Sequence, residues 1–146
     1  MTEIKRITTK KISLPLKTPF KTAKHTVTSA DAILIGIETN NNVGYGAATP
    51  NLVVTGDTLF SIDNIITTVL APRLIGQSLS DWHYIDSIIQ KTVQYNSSAK
   101  AGLEIAFHNL LANELSLPLV TILGGKRQPV VTDYTVSISS AEKNGD

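Results

Sequence analysis

The chain contains no cysteine, which excludes disulfide bonds and thiolate metal sites and favours a cytoplasmic location. It also lacks an apolar run near the roughly 18 residues of a membrane helix. Its N-terminus alternates polar and apolar residues, unlike a signal peptide. The chain has no large excess of one charge, since it contains 13 basic and 12 acidic residues and its net charge is +1. Neither nucleic acid nor a membrane is therefore an expected partner.

What is present is the composition of a globular protein, with 42% hydrophobic and 17% charged residues in a chain of 146. This length suits one domain with a real core.

Motifs for metal or nucleotide binding are weak. His83 and His108 lack any metal-ligand spacing, and the Gly44-x-Gly46 pair lacks the third glycine of a dinucleotide site. The acidic residues from Asp57 to Glu114 fall on predicted helices and caps, so no metal site is predicted from them.

Residue patterns predict strands first and helices afterwards. Alternating or β-branched runs predict strands over residues 4–14, 32–39 and 43–46. Asparagines 40–42 predict a hairpin turn, because asparagine tolerates a positive φ. The polar stretch 17–30, with Pro19, is predicted to be a loop.

Helical spacing of apolar residues follows from Leu59 onward. Asp57 or Thr58 can cap the first helix, and Pro72 is expected to kink or end it. A second helix is expected after a Ser80 cap, and a third from about Ser97 to a point before Pro118. A short turn closed by Gly124-Gly125 follows. Residues 130–138 again predict a strand, and residues 139–142 the start of a helix.

Several segments, taken in order, carry a family likeness. The chain resembles the N-terminal end of the muconate-lactonizing group of the enolase superfamily, and within it the L-Ala-D/L-Glu dipeptide epimerases. The segments are LKTPFKTA at 16–23, VGYG at 43–46, LVVTGD at 52–57, SAKAGLEIA at 98–106, LPL at 117–119, LGG at 123–125 and TDYTVS at 132–137.

The resemblance implies an α+β fold, with a three-stranded antiparallel sheet followed by a helical bundle. Residues 1–128 would form this capping domain. Residues 129–146 would form the first strand of a truncated (β/α) barrel and the start of the following helix. Such a barrel takes about 250 residues, so the rest of it is expected to be absent.

The family removes the proton next to a carboxylate, with lysine bases and Mg²⁺ that stabilise the enediolate. These groups belong to later barrel strands, and the Lys-x-Lys motif of the second strand does not occur here. The resemblance therefore implies no catalytic residue, metal ligand or cofactor in this chain, and Mg²⁺ only in the full-length family. We expect the chain to be inactive alone, as the specificity cap of a dipeptide epimerase or muconate cycloisomerase-like isomerase.

Two cap loops close over the barrel mouth in the family, and they correspond to residues 20–26 and 51–56. The implied substrate-binding residues are Lys24, His25, Val54, Thr55 and Thr135. A cation at Lys24 or His25 would meet the distal carboxylate of an acidic dipeptide, although histidine is mostly neutral at pH 7. Alternatively, these two are solvated loop residues and Thr135 is an ordinary strand threonine.

Three residues depart from the family pattern: Ala47 stands where a Glu is usual, Asn109 where an Asp is usual, and His25 where a basic loop residue is usual. A remnant that no longer serves catalysis and a fragment of a longer protein both remain open. So does a stand-alone oligomerising or binding module that reuses the cap fold. We expect self-association, with residues 129–140 exchanged or paired between copies.

Overall fold

The three strands lie in the first third of the chain and pair in sequence order. The structure, a computed structural model, describes residues 2–21 and 26–133. Within these ranges, β1 (Arg6–Lys21), β2 (Thr26–Glu38) and β3 (Val43–Ala48) form an antiparallel sheet in the order β1-β2-β3. The predicted α+β class with its antiparallel sheet is confirmed.

The β1–β2 hairpin is much longer than the sequence indicated. Residues 17–21 and 26–30 belong to strands, so the prediction of a long loop was wrong for them. Strand pairing shifts register between Pro15 and Phe20 and resumes with Phe20 opposite Val27. Because β1 lies at the edge of the sheet, it tolerates prolines that cannot donate a hydrogen bond. Residues 22–25 lie outside the described ranges.

The β2–β3 turn is present at residues 39–42, but asparagine conformation does not explain it. No described asparagine of the turn has a positive φ. Instead, the hydroxyl of Thr39 accepts hydrogen bonds from the amides of Asn41 and Asn42 at 3.2 and 3.0 Å. The Thr39 amide donates to the Asn42 carbonyl at 2.9 Å. A threonine side chain therefore organises this turn.

Helices make up most of the remaining described chain. They are α1 (Leu59–Asn64), a π-helical turn (Ile65–Leu70), α2 (Ala71–Leu74), a 3₁₀ turn (Leu79–Asp81), α3 (Trp82–Lys91), α4 (Ser97–Leu115) and α5 (Leu119–Ile122). Thr58 caps α1 as one of the two predicted candidates. Pro72 does not end the helix, because it lies in the first turn of α2, where its missing amide hydrogen is tolerated. Ser80 does not cap α3: it lies inside the 3₁₀ turn, which Ser78 caps, and Asp81 precedes α3 without a side-chain cap bond. No helix among the described residues is both long and apolar enough to cross a membrane.

The core lies between one face of the sheet and the helices. Ile33, Ile35 and Ile37 of β2 are buried against apolar side chains of the helices, which include Ile62, Ile66, Leu70, Ile85, Ile89, Leu103, Phe107 and Leu110. β3 approaches α4 so closely that glycine is required. A Cβ on Gly44 would stand 2.2 Å from the Ala106 carbonyl oxygen, and a Cβ on Gly46 would stand 2.2 Å from that of Gly102. These contacts fix β3 and α4 as one packed unit.

Two asparagines of α4 cover the free edge of β3. The side-chain oxygen of Asn109 accepts a hydrogen bond from the Tyr45 amide at 2.9 Å. The side-chain amide of Asn113 donates to the Val43 carbonyl at 2.8 Å. Edge strands with unpaired backbone groups invite pairing with other chains. Asn109, a departure from the expected family pattern, thus still supplies an acceptor for the edge of β3.

Only the first four residues of the strand predicted from Val130 lie within the described residues, so that prediction stays untested. These four residues have no regular secondary structure, and Val130 and Val131 are 84% and 97% exposed. A strand needs a neighbour to pair with, and no described residue pairs with this segment.

Candidate functional site

Two projections leave the sheet at the same end. β3 ends at Ala48, which lies opposite Ile33 in the second half of β2. Past this pair, β1 and β2 continue as a two-stranded hairpin until Lys21 pairs with Thr26. Residues 51–56, here called the cap loop, follow β3 at this end. The fold therefore brings the cap loop and the hairpin end to one side of the molecule.

The cap loop is a compact turn built around Asn51. Its carbonyl oxygen accepts hydrogen bonds from the amides of Thr55 and Gly56 at 2.9 and 3.1 Å. Its side chain accepts one from the Val54 amide at 3.1 Å. Gly56 has a φ of 75°, a conformation that glycine adopts without strain. These bonds give the loop a defined shape.

The tip of the cap loop is apolar and faces solvent. Leu52, Val53 and Val54 are 69%, 87% and 77% exposed. Three consecutive exposed apolar side chains on a defined turn are typical of a contact surface. Val54, one of the predicted substrate-binding residues, is thus available for contact.

Thr55, the neighbouring predicted residue, has its hydroxyl engaged inside the loop. It donates to the Asn51 carbonyl at 3.0 Å, and the Asp57 amide lies 3.4 Å from it. The hydroxyl of Thr55 therefore maintains the shape of the loop. The group that Thr55 leaves for contact with a ligand is chiefly its methyl group.

Asp57 follows the cap loop and is almost fully buried, with 4% exposure. Its carboxylate accepts a hydrogen bond from the Ser98 hydroxyl at 2.8 Å, and the Ser98 amide lies 3.4 Å from the same oxygen. Ser98 is in the first turn of α4, where a carboxylate can satisfy free amides and meets the positive end of the helix dipole. The sequence proposed Asp57 only as a cap for α1, and no local signal marked its link to α4.

A groove of about 370 Å³ lies between the sheet and α1. It is lined by Thr9, Lys11, Ile33, Leu59, Phe60 and Asp63. Phe60 is 80% exposed, and the Thr9 hydroxyl donates to the Asp63 carboxylate at 2.5 Å. The groove extends the apolar and charged surface at this end of the sheet.

Three of the predicted site residues, Lys24, His25 and Thr135, lie outside the described residues. The described chain therefore brings together only Val54 and Thr55 of the predicted set. No group of His, Asp or Glu within residues 2–21 and 26–133 could hold a metal ion.

The two histidines within the described residues, His83 and His108, contact neighbouring residues of their own helices. The His83 ring stacks on Trp82 with centroids 3.7 Å apart, and His108 Nδ1 lies 2.8 Å from the Glu104 carbonyl oxygen. Burial raises the pKa of the Glu104 carboxyl, a hydrogen bond from Gln90 lowers it, and Asp86 raises it further. This cluster belongs to the contact between α3 and α4 and does not involve the cap loop.

The described chain thus forms a three-stranded antiparallel sheet with helices packed on one face and an exposed loop at its end. Residues 4–124 match the family described as mandelate racemase / muconate lactonizing enzyme, N-terminal domain. The chain belongs to this family.

Among individual relatives, the chain is 44% identical to the L-Ala-D/L-Glu epimerase of Bacillus subtilis over 97% of this chain and 39% of that protein. A substrate-liganded structure of this epimerase superposes with a TM-score of 0.90 and covers 97% of this chain and 40% of that one. A dipeptide epimerase from Enterococcus faecalis, complexed with Mg and L-Leu-L-Tyr, is 32% identical with a TM-score of 0.86, over 94% and 39% of the two chains. The muconate lactonizing enzyme of Pseudomonas fluorescens is 29% identical with a TM-score of 0.81, over 87% and 35%. The chain spans about two fifths of the length of the curated relatives it matches.

Proposed function

We propose that this chain is the substrate-specificity cap of a Mg²⁺-dependent dipeptide epimerase, whose cap loop and hairpin end close over a substrate held by a barrel. The exposed apolar tip of the cap loop, on the same side as the hairpin end, is the observation that carries the proposal. The likeness to dipeptide epimerases over nearly the whole chain supports it.

In this proposal, the cap selects the substrate and keeps water away from it. Val54 and its apolar neighbours would contact the substrate and help to exclude solvent, which strengthens electrostatic interactions in the site. Lys24, assisted by His25, would pair with the distal carboxylate of an acidic dipeptide. Thr135 would face the substrate from the first barrel strand.

The bond-breaking chemistry would come from groups outside the cap. Mg²⁺ needs several oxygen ligands in octahedral geometry, and the described residues offer no such cluster. When bound in the complete enzyme, Mg²⁺ would stabilise negative charge on the substrate carboxylate. We therefore expect the 146-residue chain alone to exchange no deuterium into L-Ala-L-Glu in the presence of Mg²⁺, and measurable exchange would refute the division of roles.

A chimera tests the cap function directly. This chain would replace the matching N-terminal part of the Bacillus subtilis epimerase, and deuterium exchange into L-Ala-L-Glu would be measured. Val54→Asp should raise KM by about tenfold or more, because a charge on the apolar tip opposes desolvation and repels an acidic substrate. Tyr84→Asp, a charge on an exposed aromatic of α3, is the matched control and should leave KM unchanged. Equal effects of the two variants would contradict the proposal.

The stand-alone module remains a second candidate because apolar residues after α4 are exposed. Leu123, Val130 and Val131 are 63%, 84% and 97% exposed, and burying such a surface between two copies would stabilise a dimer. Size-exclusion chromatography with light scattering decides this. A monomer at all accessible concentrations would exclude self-association, whereas a stable dimer that Val131→Asp dissociates would support it.

A further inference from the structure

The cap loop is anchored to the fold at its two ends, not along its length. Ala48 and Asp57 are both buried, at 2% and 4% exposure, and the residues between them are exposed or half-buried. The hydrogen bonds of the loop to Asn51 hold its shape. They do not set its direction relative to the sheet, so its direction depends on the two buried ends.

The second of these ends meets α4 where that helix lacks a cap of its own. Tyr95 and Asn96 precede the helix with φ values of 55° and 51°, a region that non-glycine residues enter at some cost. The Asn96 side chain donates to the Gln94 carbonyl at 2.8 Å and forms no cap bond. The Asp57 carboxylate, from a distant part of the sequence, instead accepts a hydrogen bond from Ser98 in the first turn of α4.

We propose that Asp57 is a positioning residue, which sets the direction of the cap loop through its hydrogen bond to Ser98. The proposal rests on the proposed function, because it assigns a role in substrate binding to the direction of the loop. α4 is packed on β3 without slack at Gly44 and Gly46. The bond from Ser98 to Asp57 therefore fixes both ends of the cap loop to the same rigid unit, which consists of β3 and α4.

The consequence for binding is a loop that is already arranged before the substrate arrives. Ordering a loop upon binding costs free energy that a prearranged loop does not lose. Asp57 is buried away from the exposed tip, so it should affect how well the substrate binds and not how fast bound substrate reacts. A positioning role thus predicts a change in KM with little change in kcat.

Amide hydrogen exchange of the full 146-residue chain tests the anchoring step. In Asp57→Ala, exchange at Ser98 should accelerate by about tenfold, because its amide loses the Asp57 acceptor. Exchange at Thr55 and Gly56 should accelerate with it, because their bonds to Asn51 open more readily once the buried end of the loop is released, while exchange at Ile35 stays unchanged. Asp57→Asn keeps an acceptor oxygen and should restore most of the protection. Thr58→Ala is the control, since it removes the neighbouring α1 cap without touching Ser98.

Each outcome decides whether the bond between Asp57 and Ser98 anchors the cap loop. Faster amide exchange confined to the loop and Ser98 in Asp57→Ala, and not seen in Thr58→Ala, supports the anchor. Unchanged exchange, or equally faster exchange at all amides, overturns it. If Asp57→Ala does not fold, Ser98→Ala removes the hydroxyl donor from the other side and should accelerate the same amides.

Kinetics of the chimera then separate this inference from the proposed function. Asp57→Ala should raise KM for the dipeptide by about tenfold with kcat within about twofold of the parent. If loop exchange accelerates but KM does not move in either Asp57→Ala or Val54→Asp, the anchor is real and the specificity function is wrong. If Val54→Asp raises KM and Asp57→Ala alters neither exchange nor KM, the specificity function stands and the anchor is wrong.

Discussion

Substitution of Gly44 by alanine should separate β3 from α4. The new Cβ would stand 2.2 Å from the Ala106 carbonyl oxygen, 2.3 Å from the Leu110 nitrogen and 2.5 Å from the Leu110 Cβ. Carbon atoms in good contact lie about 3.5 to 4 Å apart, so the backbones must move by about 1 Å or more. Overpacking of this kind costs about 1 to 3 kcal/mol. We expect the upper part of this range, because backbone atoms cannot rotate away as a side chain can.

Gly36→Ala provides the matched control on the other face of the sheet. Its Cβ would meet the Thr8 hydroxyl at 2.9 Å, and that side chain can change rotamer, so we expect a loss below about 1 kcal/mol. Urea unfolding of both variants, followed by far-UV circular dichroism, gives the two free energies of unfolding. If Gly44→Ala were within about 0.5 kcal/mol of the parent chain, the close approach would not be a constraint and the reasoning would be refuted.

Two further substitutions test the helix contacts. Asn109→Ala should lower the free energy of unfolding by about 1 kcal/mol, because the Tyr45 amide loses its acceptor. Asn109→Asp retains an acceptor and should cost less in the same urea titration, and an equal loss would contradict the edge-capping role. Glu104→Gln should raise the melting temperature at pH 7, because burial raises the pKa of Glu104 and its charged form disfavours folding. The difference should vanish below about pH 4, where the carboxyl is protonated in both states, and a difference that persists there in circular dichroism melts would refute this cause.

The order of strands and helices could be predicted from the sequence because the apolar period changes from two to 3.6 residues near Leu59. The end of α4 before Pro118 was predicted correctly, since the helix ends at Leu115, but the behaviour of the chain at Pro15 and Pro72 was not. The first strand, predicted to end at residue 14, continues through Pro15, and Pro72, expected to kink or end its helix, does not end it. Each proline lies where a missing amide hydrogen does little harm. For Pro15 this place is an edge strand, and for Pro72 it is the first turn of α2. Whether a strand lies at an edge is a property of the whole sheet, which local sequence does not contain.

The candidate site at the cap loop was proposed only through the family resemblance, and it stays a prediction. The tripeptide Leu52-Val53-Val54 has no pattern that separates an exposed loop tip from a short buried strand. Asp57 appeared as a cap for α1, because helix caps are recognised by their neighbours in sequence. Its actual partner, Ser98, is 41 residues away, and such a contact depends on how β3 and α4 pack.

The structure separates residues that maintain the fold from residues that can vary. Gly44 and Gly46 leave no room for a side chain, and Asp57 is buried against α4, so substitution at these positions should lower stability. The apolar tip at 52–54 contacts solvent, and exposed positions usually change stability by less than about 0.5 kcal/mol. Under the proposed function, the tip of the cap loop would set substrate preference and could vary, while Asp57, Gly44 and Gly46 would stay the same. A specificity cap that serves enzymes with different dipeptide substrates would need such a separation.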